Sequence, residues 1–89
     1  MILNFKNSFT KDLQKRKTDK RLMERVRQTV RKVEEAKYIH SIRNLKKLKA
    51  QSNHYRIRIG DYRLGIVIDD DTVTFIRCLH RSEVYRYFP

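Results

Sequence analysis

The segment YRIRIGDYRLGIVI, residues 55–68, carries the densest chemistry in the chain. Strict alternation makes it a strand in which Tyr55, Ile57 and Ile59 face one way and Arg56 and Arg58 the other. Gly60-Asp61 supplies a two-residue turn, after which Tyr62, Leu64, Ile66 and Ile68 share a face opposite Arg63, Gly65 and Val67. That turn pairs Ile59 with Tyr62, and therefore Arg58 with Arg63. Three guanidinium groups then stand on one face of a hairpin with no acid between them. Like charges directly opposite one another cost a sheet some tenths of a kcal/mol, unless an anion removes the repulsion. Arginine grips a phosphate through two parallel hydrogen bonds, whereas lysine serves a solvated face equally well, and no Lys follows Lys49. Gly65 falls opposite Arg56 and is expected to leave a shallow space beside the cluster.

The C-terminal segment LHRSEVYRYFP adds groups of other kinds. His80 can take or give a proton near neutral pH. Tyr85 and Tyr87 can stack on a base or donate a phenolic hydrogen bond, and Arg81 adds a cation. Together these types suit charge stabilisation and proton transfer on a phosphodiester. The plainer reading, a solvated sheet face ending in a spacer histidine, stays open at this point.

Other chemistries fit poorly. Asp69-Asp70-Asp71 lies in an expected turn and reads as a solvated loop, so a metal-dependent nuclease with clustered carboxylates is disfavoured and no metal is expected. The single Cys78, in a strand, reads as a small buried hydrophobe. His40 and His54 have no chemically interesting neighbours. No glycine-rich phosphate loop and no nucleophile in a recognisable setting is present, and no cofactor is expected.

The elements that must hold these groups follow from periodicity. Leu3 and Phe5 suggest a strand over 2–6. Ser8 is placed to cap a helix over 9–17, and Asp19 a longer one over 20–37, whose stripe is Leu22, Met23, Val26, Val30, Val33 and Ala36. Ile42, Leu45 and Leu48 recur every three residues, a short turn of helix or an irregular packed segment. Strands are expected at 55–59, 62–68 and 73–79. The order β-α-α-β-β-β is an α+β domain over 1–89, an N-terminal strand and helical hairpin packed on a small antiparallel sheet. With 89 residues there is one domain and a thin core.

Charge narrows the partners. Lys plus Arg is 22 against 10 Asp plus Glu, a net +12. Residues 1–54 hold ten Lys, six Arg and five acids (net +11), while 55–89 hold six Arg and five acids (net +1). The first part offers a diffuse positive field and the second offers fixed contacts. Nucleic acid is the first partner to expect, an acidic protein the second, and a membrane is not expected. The chain lacks a signal-peptide pattern or a long apolar run, so the expected compartment is the reducing cytoplasm.

LKKLKA followed by YRIRIGDYRLGIVIDDDTVTFIRCLHRSEVY resembles the RelE/ParE superfamily of small bacterial and archaeal toxins. The N-terminal strand and FTKDLQK fit the same pattern, so the resemblance spans essentially the whole chain. It implies an α+β fold and a small acidic antitoxin as cognate partner. RelE-type members cut mRNA in the ribosomal A site; ParE-type members poison DNA gyrase and lack the nuclease residues. RelE-type toxins use two basic residues spaced i, i+2, matching Arg56 and Arg58, an Arg on the next strand, matching Arg63, and a Tyr near the C-terminus, matching Tyr85. Some relatives carry a catalytic His near the chain end, the position of His80; His80 and Arg81 both compete for the second catalytic position. Lys46, Lys47, Lys49 and Arg81 are the candidate RNA-binding cations.

The reaction so implied is metal-independent: the RNA 2′-hydroxyl attacks the adjacent phosphorus, leaving a 2′,3′-cyclic phosphate and a 5′-hydroxyl. Arg56, Arg58 and Arg63 stabilise charge, since arginine cannot transfer protons at pH 7. His80 serves as acid or base, and Tyr85 orients the substrate or shares the proton work. An incomplete site would make the ribosome a required partner. The departures are Arg at positions that are often Lys, a short link before HRSEVY, and Ala50 where relatives often carry Gly. A gyrase poison or a non-catalytic basic RNA-binding module are the alternatives.

Overall fold

Burial of one helical stripe and one sheet face organises the molecule. The computed structural model describes residues 1–49 and 53–89, so Ala50 lies outside the described residues. The elements are β1 (Ile2–Phe5), α1 (Asn7–Lys15), α2 (Lys20–Glu35), a 3-10 turn (Ile39–Ser41), β2 (Leu45–Lys47), β3 (His54–Ile59), β4 (Tyr62–Asp69), β5 (Thr72–His80) and α3 (Val84–Tyr87). Asp19 starts α2 by accepting the Leu22 N–H at 3.0 Å. Leu22, Val26 and Val33 of α2 and Phe9 of α1 pack on Ile57, Ile59, Leu64, Ile66, Ile68, Val73, Phe75 and Cys78 of the sheet. The expected α+β architecture is the one observed.

The five strands lie in the order β1-β5-β4-β3-β2. The β2–β3, β3–β4 and β4–β5 pairs are antiparallel, but β1 lies parallel to β5 at the edge. Alternation in a four-residue strand does not name its partner; the helical hairpin's path back to the sheet does. β2 is a strand where a helical turn or irregular segment was expected. A helix would bring Leu45 and Leu48 together, whereas here Leu45 joins the main core and Leu48 a second core on the other side of the sheet.

Ser8 does not cap α1. The cap position is Lys6, and the Ser8 hydroxyl instead donates to the Ile76 carbonyl at 2.6 Å. β1 reaches only as far as Phe75, so β5 would otherwise leave edge groups unpaired. Side chains of α1 continue where β1 stops. Asp12, buried, accepts the Cys78 N–H at 2.9 Å and a two-pronged ion pair from Arg77 at 2.8 and 3.1 Å.

β5 carries a β-bulge. Gly65 pairs with Arg77 and the next residue, Ile66, with Phe75, which leaves Ile76 as the extra residue. The bulge inverts the alternation beyond it, and this decides where the end of β5 points.

Candidate functional site

The hairpin register is the one the turn dictates: Ile59 pairs with Tyr62, Arg58 with Arg63 and Arg56 with Gly65. Gly60 makes the turn at φ +57°, and a Cβ there would meet the Arg25 guanidinium at 2.7 Å. The three arginines therefore share the sheet face turned away from α1 and α2. Lys46 of β2 pairs with Arg56 and shares that face, whereas Lys47 pairs with Tyr55 and shares the opposite one. Lys49 is exposed in the turn after β2.

α3 closes this face from above. Leu48, Leu79, Val84 and Phe88 form a second core, against which Ile76 packs. Phe88 occupies the place above Gly65: a Cβ on Gly65 would lie 2.6 Å from its ring. The expected shallow space beside Arg56 is thus filled, because the chain end folds back over the sheet. This anchoring sets Tyr85 with its ring 4.5 Å from the Arg56 guanidinium carbon, while the residue stays 77% exposed.

The result is a cavity of about 340 Å³ lined by Asn44, Leu45, Lys46, Arg56, Arg58, Arg63 and Tyr85. Among the described residues, no carboxylate forms an ion pair with Arg56, Arg58 or Arg63. The buried Arg56 Nε has no hydrogen-bond partner, an unmet donor of the kind an anion satisfies. Arg63 is pinned through Nη1 to the Gly60 and Tyr62 carbonyls, at 2.9 Å each. Burial and then the neighbouring Arg58 push the Arg63 pKa below its ordinary value, with Arg81 and Arg56 adding to the shift. A bound phosphate reverses that electrostatic penalty. Asn44 was not singled out from sequence; its positive φ of 60° at the entry to β2 is a structural mark with no pattern signal.

His80 is elsewhere. It pairs across the sheet with Tyr62, on the helix side, and meets that ring edge-on at 5.4 Å. Its Nδ1 accepts the Ser82 N–H at 3.1 Å, with the Ser82 hydroxyl at 2.8 Å. Leu79, one residue earlier, is the residue that pairs with Arg63. The bulge at Ile76 is the reason: without it His80 would fall on the arginine face. Arg81 is exposed and lies 3.9 Å from the Asp61 carboxylate, at the rim. Of the proposed proton-transfer groups, the structure brings Tyr85 to the arginines and not His80; Lys46 adds an amine. Among the described residues, no cluster of His, Cys, Asp and Glu is placed to hold a metal ion, and no helix is long and apolar enough to cross a membrane.

Residues 3–85 match the family described as ParE toxin of the type II toxin–antitoxin system parDE. The chain is 35% identical to Toxin RelE3 of Methanocaldococcus jannaschii over 90 residues, which cover both proteins completely. The chain belongs to the RelE/ParE family of type II toxin–antitoxin toxins. Its fold matches toxin chains solved as antitoxin complexes. One is RelB–RelE from Methanococcus jannaschii, with TM-score 0.67 and 34% identity over 97% of this chain and 99% of that one. Another is RelBE2 from Mycobacterium tuberculosis, with TM-score 0.59 and 27% identity over 90% and 96%. The family match reaches through Tyr85, so the arginine face and α3 both lie within it.

Proposed function

We propose that this toxin is a RelE-type endoribonuclease that cuts mRNA on the ribosome, and that a cognate acidic antitoxin holds it in check. The observation that carries the reading is the convergence of Arg56, Arg58, Arg63, Lys46 and Tyr85 on one cavity, with the Arg56 Nε unpartnered. A scissile phosphate seated there meets three cations, one of them, Arg63, pinned in place, as the phosphorane gains negative charge. The 2′-hydroxyl attacks phosphorus in line, the P–O5′ bond breaks, and the products are a 2′,3′-cyclic phosphate and a 5′-hydroxyl. Tyr85 and Lys46 are the groups within the cavity that can move protons, and Tyr85 also offers a face on which a base can stack. With His80 on the other side of the sheet, the cavity alone is poorly supplied with acid and base. The ribosome then completes the site by bending the message into attack geometry. Lys49 and Arg81 add positive charge around this face for the RNA backbone, and the cytoplasm is where translating ribosomes are met.

The same shortage of proton-transfer groups favours a second reading, a gyrase-directed poison of ParE type that needs only to bind. Induction in cells separates them. Mapped mRNA 5′ ends within translated codons support the nuclease; intact messages with double-strand DNA breaks support the gyrase poison.

A further inference from the structure

Asn44 lines the phosphate cavity and, on its other side, a second cavity of about 550 Å³ beside α2. It is exposed, and among the described residues its side-chain amide makes no hydrogen bond. Its backbone, in contrast, is held. The Asn44 carbonyl accepts the Arg58 N–H at 3.1 Å, one step beyond the Leu45–Ile57 pair, and its φ is 60°. Glycine would meet that backbone requirement at no steric cost. Asparagine meets it too, and adds a planar amide with a donor and an acceptor side by side.

We propose that Asn44 is a specificity-determining residue, whose amide reads the base edge of a nucleotide flanking the scissile phosphate and favours adenine. The proposal rests on the endoribonuclease reading and names the group in that same cavity that tells bases apart. The other side chains of the cavity do different work. Lys46, Arg56, Arg58 and Arg63 are cations suited to phosphate, contacts that position RNA but carry no sequence information. Tyr85 offers a ring, and stacking accepts every base. Leu45 packs against the main core. Among the described lining residues of this cavity, Asn44 alone carries an amide side chain. Adenine presents its N6 amine beside N7, so the amide oxygen accepts from one while the amide nitrogen donates to the other.

Position agrees with that role. Asn44 stands opposite Arg58, and Arg58 opposite Arg63, so the three form one row across β2, β3 and β4. Adjacent strands lie roughly 5 Å apart, which puts Asn44 roughly 10 Å from the strand that carries Arg63. That distance is comparable to one nucleotide measured from phosphate to base edge, so a phosphate held between Arg58 and Arg63 leaves its own base within reach of the amide. Tyr85 stands over Arg56, in the neighbouring row, so stacking and edge reading fall to different ends of the cavity.

The test uses the full-length toxin in single-turnover cleavage on programmed ribosomes. Two sets of messages differ only in the base on the 5′ side, or only in the base on the 3′ side, of the scissile phosphate. At one of the two positions the wild type should cut the adenine message about 5- to 150-fold faster than the others. Asn44→Gly keeps the left-handed backbone and removes the amide, and its adenine ratio should fall to about one. Asn44→Asp leaves oxygens that only accept, so its preference should move to cytosine, whose N4 donates. Ratios are taken within each variant, so a charge effect common to all messages cancels. Tyr85→Leu should slow every message and keep the adenine ratio. Thermal melting verifies that each variant folds. A wild type with no adenine preference at either position overturns the assignment. So does an Asn44→Gly variant that keeps the wild-type ratio while cutting every message more slowly, the mark of a merely structural role, and so does an Asn44→Asp variant that still favours adenine. A wild type that cuts none of the messages overturns the nuclease reading, and the role of Asn44 with it.

Discussion

Arg58→Ala should weaken the toxin and stabilise the fold, two effects that only a functional cluster combines. Arg58 stands directly opposite Arg63, is exposed, and makes no side-chain hydrogen bond or ion pair among the described residues. Truncation therefore removes a repulsion and breaks no hydrogen bond or ion pair among the described residues. Cross-strand pairs of this kind are worth roughly 0.2–1 kcal/mol, and exposure and salt screening place this one in the lower half of that range. For a domain of this size the gain corresponds to a Tm higher by about 1–4 °C. In the opposite direction, loss of one cation facing a phosphorane costs up to about 3–4 kcal/mol, the value for a fully preorganised donor, or up to a 10²–10³-fold slower cleavage. The assays are thermal melting at low and high salt and single-turnover cleavage of mRNA on programmed ribosomes. The Tm gain should shrink as salt rises, because salt already relieves the repulsion in the wild type. Arg31→Ala, on α2 and outside both cavities, removes the same charge and should leave the cleavage rate within about threefold of wild type, since a remote exposed charge acts only through the screened field. A variant Arg58→Ala that melts lower and cuts at the wild-type rate would refute the argument.

The other expectations follow from individual contacts. His80→Gln should cut within about threefold of the wild-type rate, because the imidazole faces Tyr62 and not the arginines; a loss of 10² or more would return His80 to the chemistry. Gly65→Ala should lower stability by about 1–3 kcal/mol in urea titration, since its Cβ would overlap the Phe88 ring at 2.6 Å; unchanged stability would mean that α3 shifts freely. The Cys78 thiol is pushed up to about 12, by burial first and then by Asp12. It should resist iodoacetamide at pH 8 in the native protein and react once unfolded, as read by mass spectrometry. Because that pKa is raised in the folded state, its contribution to stability is complete below the unfolded thiol's pKa, about 9, and is lost as pH climbs towards 12.

The hairpin was legible because its information is local. Alternation fixes which side chains share a face, and a two-residue turn fixes which residues stand opposite, so Arg58 against Arg63 and Arg56 against Gly65 follow from a dozen residues. The stripe of α2 and its Asp19 cap are local for the same reason. The composition likewise determined a basic chain suited to an anionic partner. What tertiary structure decided depends on residues far apart in sequence. The partner of β1 is set by the return of the helical hairpin, and β2 is a strand because Leu45 and Leu48 bury on opposite sides of the sheet. Phe88 finds Gly65 only when the chain end folds back, and that contact brings Tyr85 to Arg56. The bulge at Ile76 places Cys78 in the core and turns His80 to the helix side. Its neighbours show why: Ser8 and Asp12 of α1 hold the Ile76 carbonyl and the Cys78 N–H, contacts across more than sixty residues. One added residue reverses every side chain beyond it, and no periodicity within β5 reveals where that residue is inserted.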